Sequence, residues 1–207
     1  MKVLLVNGSP HKEGCTYNAL NHMAKALEER GVETEILHVG KMEVGGCMAC
    51  GGCNDSGKCV FNDSVNVAIE KAKEADGLVF GTPVHYASPA GSMVSFMDRL
   101  FCAASGSLKH KPAAVVISTR RAGATASYDM MIKYPAINQM PIISADYWPI
   151  VHGHNSPTDV FEDAEGVHTI ETLAKNMAWM LKCIDAGKQV GIEPEAVEKT
   201  AWTHFIR

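Results

Sequence analysis

The chain has 207 residues, 46% hydrophobic and 20% charged, enough for one large domain or two small ones with a sizeable core. A net charge of −4, with Lys and Arg spread along the chain, gives no electrostatic case for nucleic acid or a membrane surface as partner. The opening "MKVLLVNGSPHKEG" has an apolar run too short for a signal-peptide core, and no stretch approaches the ~20 apolar residues of a membrane span. The expected compartment is therefore a reducing cytoplasm, where the seven cysteines are expected to bind metal or do redox chemistry rather than form structural disulfides.

Along the chain, strand and helix patterns alternate. "KVLLVNG" is a short apolar run closed by a turn glycine and predicts a buried strand. "TYNALNHMAKALEERG" carries Leu20, Met23, Ala24 and Leu27 on one stripe and stops at Gly31, which predicts an amphipathic helix. "VETEILHV" predicts the second strand, and a glycine- and cysteine-rich loop at about 45–60 follows. "DSVNVAIEKAKEAD" reads as a helix with Asp63 as N-cap, "GLVFGTP" as the third strand, and "AGSMVSFMDRLFCAA" as a helix. "KPAAVVISTR" is the fourth strand. "TASYDMMIKYPAINQM" is a helix interrupted or ended by Pro135, and "PIISADYWPI" is a candidate fifth strand. "EDAEGVHTIETLAKNMAWMLKCIDAGK" is a long last helix. The tail at about 188–207 has no clear element; its Trp202, Phe205 and Ile206 would pack on their own domain or on a neighbouring subunit. Five apolar strands separated by helices predict an α/β fold over 1–207, a single doubly wound domain with a five-stranded parallel sheet covered on both faces.

In such sheets, ligands bind at the carboxyl ends of the strands, where strand order reverses. "NGSPHKEGCTYNAL" joins the first strand to the first helix, whose N-terminal N–H groups and partial positive charge suit a phosphate. Ser9, Cys15, Thr16 and Tyr17 add side-chain donors. Neither a Walker pattern nor G-x-G-x-x-G is present, so the loop suits a monophosphate; the alternative is a plain polar turn with Thr16 as N-cap. "GSPHKEGCT" resembles the phosphate loop G-S-P-(R/K)-x-x-(S/N)-x-T of the NADPH-dependent FMN reductase group of flavodoxin-like proteins. "KAKEADGLVFGTPVHYASPAGSMVSFMDR" resembles that group's central segment, and the agreement runs through the first four strands. His11 and His85 depart from it, standing where the group often has Arg and Tyr.

The resemblance implies a flavodoxin-like fold and a bound FMN. Ser9, His11, Gly14, Cys15, Thr16 and Tyr17 would then hold the phosphate. Pro83, Val84, His85 and Tyr86 would lie against the isoalloxazine ring, with backbone groups at its edge. Ser118, Thr119, Arg120, Arg121 and Gly123 follow the fourth strand. A cation here would favour the reduced ring, and the glycine would admit close backbone approach; the alternative for the two arginines is a solvated pair. Asp98 and Arg99 read as a structural ion pair on a helix. His152 and His154 lack a nearby third metal ligand and are candidates for the substrate side, and Tyr147 and Trp148 would close over a ligand or join an oligomer contact. Flavin chemistry needs no protein triad, and no residue is assigned as catalytic.

Cys47, Cys50, Cys53 and Cys59 follow C-x2-C-x2-C-x5-C. Zinc sites use two separated C-x2-C knuckles, whereas successive x2 steps suit a cubane cluster; free redox thiols are the third reading. The spacing resembles that of the iron–sulfur flavoproteins, a branch of the same group, and this resemblance implies the four cysteines as [4Fe–4S] ligands. Cys102 and Cys183 read as buried and inert. The expected activity is that of an FMN-dependent NAD(P)H oxidoreductase reducing a quinone, a nitro or azo compound, or a flavin. An electron carrier between redox protein partners and a thiol-based redox sensor are the alternatives. The resemblance implies a homodimer or homotetramer.

Overall fold

The computed structural model describes residues 1–41, 44–198 and 201. The expectation for Trp202, Phe205 and Ile206 lies outside the described residues. In chain order the elements are β1 (Lys2–Asn7), α1 (Cys15–Glu28), β2 (Glu33–His38), the short α2 (Cys53–Ser56), α3 (Ser64–Glu74), β3 (Gly77–His85) and β4 (Ser88–Pro89). Then come α4 (Gly91–Leu108), β5 (Ala113–Thr119), α5 (Ala124–Ile137), β6 (Ile150–His152), a 3-10 turn at Asp159–Phe161 and α6 (Ala164–Gln189).

β1, β3 and β5 form the centre of a parallel sheet ordered β2-β1-β3-β5-β6, and β4 pairs antiparallel with the end of β3. These central strands read as continuous apolar runs because both their faces are covered. On one face Leu4, Val6, Leu78, Phe80, Val115 and Ile117 pack under α3, α4 and α5. On the other, Val3, Leu5, Val79, Ala114 and Val116 pack under α1 and α6. The α1 stripe of Leu20, Met23, Ala24 and Leu27 is buried, as its spacing requires. Asp63 caps α3 by accepting from Val65 N. Among the described residues no helix is long and apolar enough to cross a membrane.

The fifth strand differs from its expected range. Only Ile142 bridges to Ala113, and β6 proper is Ile150–His152 beside Ile117–Thr119. Pro141 and Pro149 each accept from β5, through Ala113 N and Ile117 N, but have no N–H to return. β5 advances from Ala113 to Ile117 while its partner runs from Ile142 to Ile150, so the middle of "PIISADYWPI" loops outward and carries Tyr147 and Trp148 into solvent. Pro135 lies in the last turn of α5, which ends two residues later at Ile137.

The strand order reverses between β1 and β3, both neighbours of one another in the sheet but leading in opposite directions to β2 and β5. The loops after β1, β3 and β5 therefore meet at one end of the sheet, with the cysteine loop after β2 beside them.

Candidate functional site

The loop after β1 is braced from beneath by Asn7, which is fully buried. Its Oδ1 accepts from Ser9 N at 3.0 Å and its Nδ2 donates to Lys12 O at 3.1 Å. His38 Nε2 pairs with Ser9 O at 2.8 Å, and a Cβ at Gly40 would stand 1.9 Å from that same oxygen, so only glycine lets β2's exit pass the loop. Gly14 caps α1 with no side chain, and the first turn has no acidic residue. The N–H groups of that turn and the helix dipole thus face the hollow of the loop without a side-chain partner. Ser9 Oγ accepts from His11 N at 3.1 Å. Buried Thr16 Oγ1 lies 2.6 Å from Ser118 Oγ, tying the start of α1 to the end of β5 while each hydroxyl keeps further bonding capacity.

Cys15 turns its Sγ away from this hollow, toward Ser156 O at 3.4 Å. Burial, and then the nearby Asp159 carboxylate, push its thiol up. A cavity of 400 Å³ opens between His11, Lys12 and Cys15 on one side and Lys41, His154 and Ser156 on the other.

After β3 the chain reverses in a two-residue turn. Tyr86 and Ala87 both have left-handed backbone, φ 50 and 58, and Tyr86 is wholly exposed. Gly123, at φ 86, begins α5 so close to this turn that a Cβ there would stand 2.5 Å from Ala87 Cα. Pro83 and Val84 are half-buried and His85 is exposed. Thr119 is occupied in its own loop, accepting from Arg121 N and donating to Ala122 O. Arg120 and Arg121 are exposed and make no ion pair among the described residues.

Arg121, Gly123, Tyr147, Trp148 and His152 line a further cavity of 320 Å³. Here His152 Nδ1 is 2.8 Å from Asp163 Oδ2, an acceptor the sequence reading did not single out. Burial opposes ionisation of Asp163, but the N–H of Gly166 and then His152 outweigh it and hold the carboxyl below its ordinary range. His154 instead belongs to a loop whose N–H groups, with those of Asn155 and Ser156, bind Asp159.

The four motif cysteines line one cavity of 290 Å³ with Phe61, Arg99 and Cys102. Asn66 clamps the far end of the loop to α3, accepting from Cys59 N at 2.8 Å and donating to Cys59 O and Phe61 O at 2.9 Å. Arg99 is the cavity's one buried cation. Its Nε donates to Cys59 Sγ at 3.2 Å, its Nη1 and Nη2 bind both oxygens of Asp63 at 2.7 and 2.8 Å, and its guanidinium lies 4.9 Å from the Phe61 ring centre. Arg99 therefore does not pair with Asp98, whose carboxylate accepts from Tyr134 Oη at 2.5 Å. Adjacent residues on a helix face different ways, which explains the division.

Cys102 is neither buried nor isolated. Its Sγ lies 4.0 Å from Cys47 Sγ, and its carbonyl accepts from Cys53 Sγ at 3.6 Å. Partial desolvation of the sulfur and the adjacent Cys47 push its thiol up to about 11. The helical spacing of Arg99 and Cys102, one turn apart, is the sequence signal that could have placed it here. Cys183 is exposed on α6 rather than buried.

Among the described residues no three His, Cys, Asp or Glu side chains converge on one point, as ligands of a single ion must. The cavity's thiols, on a glycine-rich backbone, are of the donor chemistry that iron–sulfur groups use.

A parallel sheet ordered β2-β1-β3-β5-β6 with helices on both faces has the strand order of a flavodoxin-like protein. The chain belongs to the NADPH-dependent FMN reductase family, which it matches over residues 1–155. It is 31% identical over 192 residues to an iron-sulfur flavoprotein of Methanocaldococcus jannaschii, covering 89% of this chain and 99% of that protein. Its fold is similar to that of RosB, solved with a bound intermediate, 8-demethyl-8-formylriboflavin-5′-phosphate, at TM-score 0.69 and 17% identity over 100% of this chain and 94% of that one. It is also similar to a flavodoxin from the domain Archaea, at TM-score 0.60 and 17% identity over 88% and 99%.

Proposed function

We propose that this chain is an FMN-dependent oxidoreductase that takes electrons from NADH or NADPH and passes them to a small acceptor such as a quinone, a nitro or azo compound, or a flavin. The observation that carries this reading is the start of α1, where Gly14 offers no side-chain cap, the first turn has no acidic residue, and the Thr16 and Ser118 hydroxyls meet. Ser9, His11, Gly14, Cys15, Thr16 and Tyr17 would hold the FMN phosphate, Cys15 through its N–H. Pro83, Val84, His85 and Tyr86 would flank the ring, with Ser118, Thr119, Arg120, Arg121 and Gly123 along its other edge. FMN supplies acceptance of two electrons from a nicotinamide and their onward passage singly or together. The residues bind it, shield one face of the ring and place positive charge beside it. None of them is required as a catalytic acid or base.

A second reading is favoured by the cysteine cavity. Cys47, Cys50, Cys53 and Cys59 would hold a [4Fe–4S] cluster, which stores one electron, and the chain would relay electrons to a redox protein. Arg99 would keep Cys59 in place and set positive charge against that corner. The name of the Methanocaldococcus relative supports this reading. The chain would work in the cytoplasm as one domain, 1–207, assembled as a homodimer or homotetramer, with exposed Tyr86, Tyr147 and Trp148 as candidate contacts.

Anaerobic purification separates the two. Bound flavin that bleaches promptly on adding NADPH or NADH supports the oxidoreductase. Bleaching only with a reduced protein donor, together with a brown cluster absorbance, supports the carrier. A preparation that neither retains nor takes up flavin rejects both.

A further inference from the structure

Five thiols line the cysteine cavity, and a cubane has four corners. Two of the five are in contact: Cys102 Sγ is 4.0 Å from Cys47 Sγ. Thiolates on different irons of one cubane point outward from different corners, well beyond van der Waals contact. Where they stand, these two sulfurs cannot hold two different corners, so at most one of them serves as a ligand at a time.

The two are carried on unlike backbones. Cys47 follows Gly45 and Gly46, where an added Cβ would meet nothing within 4 Å, so its segment has room to withdraw. Cys102 stands on α4, anchored by buried Met97, Leu100, Phe101 and Ala104. Its carbonyl also receives the Cys53 thiol at 3.6 Å, so Cys102 faces the same cavity wall as a second motif cysteine.

We propose that Cys102 is an alternative ligand for the Cys47 corner of the iron–sulfur site and takes that corner when Cys47 leaves it. The inference rests on the cluster reading above. The exchange is a ligand substitution without redox change. The Cys47 sulfur–iron bond breaks and that sulfur takes a proton from solvent; the Cys102 thiol releases a proton to solvent as its own sulfur–iron bond forms.

The test uses the full chain, loaded anaerobically with ferrous iron and sulfide, as the parent, Cys47→Ala, Cys102→Ala and the double variant. Retained FMN binding shows that each variant is folded. The expected result is full iron in the parent and in Cys102→Ala, most of the parent's iron in Cys47→Ala with a shifted electron paramagnetic resonance spectrum, and little in the double variant. Iodoacetamide mapping gives a second readout. Over a long incubation at alkaline pH, which offsets the raised Cys102 thiol, Cys102 is expected to be alkylated in the loaded parent, protected in loaded Cys47→Ala, and reactive again once a chelator strips the iron. If the parent loads but Cys47→Ala is as iron-poor as the double variant, or its Cys102 reacts as in the parent, the inference is overturned alone. A parent that takes up no iron overturns the cluster reading, and this inference with it.

Discussion

Arg99 Nε lies 3.2 Å from Cys59 Sγ while the other end of the same guanidinium binds both carboxylate oxygens of Asp63. The Arg99 side chain is 1% exposed and Asp63 31%, so it is chiefly the loss of Asp63 that leaves a buried, uncompensated charge. Asp63 also caps α3 through Val65 N. Asp63→Ala is expected to destabilise the chain by about 3 kcal/mol, at the lower end for breaking a buried pair. Arg99→Lys should lose part of that, because an ammonium cannot reproduce the planar fork. Urea unfolding curves of the three proteins check this; coincident midpoints would exclude a structural role for the pair.

Asp163 gives a pH dependence. Its carboxyl sits below the ordinary value of 3.8 because Gly166 N–H and His152 outweigh the effect of burial. A carboxyl lowered in the folded state contributes stability that is full above its unfolded value and is lost as pH falls through the folded one. Part of the stability should thus disappear below about pH 4, and Asp163→Asn should flatten that fall while costing stability at pH 7. Unfolding midpoints between neutral pH and acid, for parent and variant, give the comparison. An equally steep acid loss in both would assign it to other carboxylates.

In the proposed phosphate site, the Thr16–Ser118 hydroxyl pair and Ser9 would supply the side-chain donors. Hydrogen bonds to a charged group contribute about 1.5–3 kcal/mol each, or roughly tenfold or more in affinity. Ser9→Ala with Thr16→Ala should therefore raise the FMN dissociation constant by about a hundredfold or more. Fluorescence titration of the flavin-free protein measures it, and an unchanged constant would move the phosphate elsewhere.

Gly40 separates space from chemistry at the same loop. A Cβ at that position would stand 1.9 Å from Ser9 O, so Gly40→Ala must displace the loop. The expected cost is about 1–3 kcal/mol of stability, accompanied by weaker FMN binding although no donor has been removed. Stability unchanged within error would show that the loop yields without strain.

The central strands were legible because β1, β3 and β5 are apolar on both faces, a pattern that survives without tertiary information. Asp63 as a cap was legible because it is decided within a few residues, whereas the alternative of Thr16 as N-cap was not borne out: Gly14 stands at that position and Thr16 lies inside α1. β6 was not, because its pairing is decided by where Pro141 and Pro149 meet β5 rather than by its own pattern. Arg99 with Asp63, His152 with Asp163 and Cys102 with Cys47 all join residues far apart in the chain or on different elements. Local spacing placed Arg99 beside Asp98 and Cys102 in the core. Only the docking of α3, α4 and the cysteine loop redirects them.

In the proposed function, the loop after β1 receives a flavin through its phosphate. Calorimetric titration of the flavin-free chain with FMN and with riboflavin, which differ by that phosphate alone, tests it directly. The account predicts one FMN per chain, bound at least about a hundredfold more tightly than riboflavin, since the phosphate gains several charge-assisted hydrogen bonds there. Equal affinity for the two, or no binding of either, would contradict it.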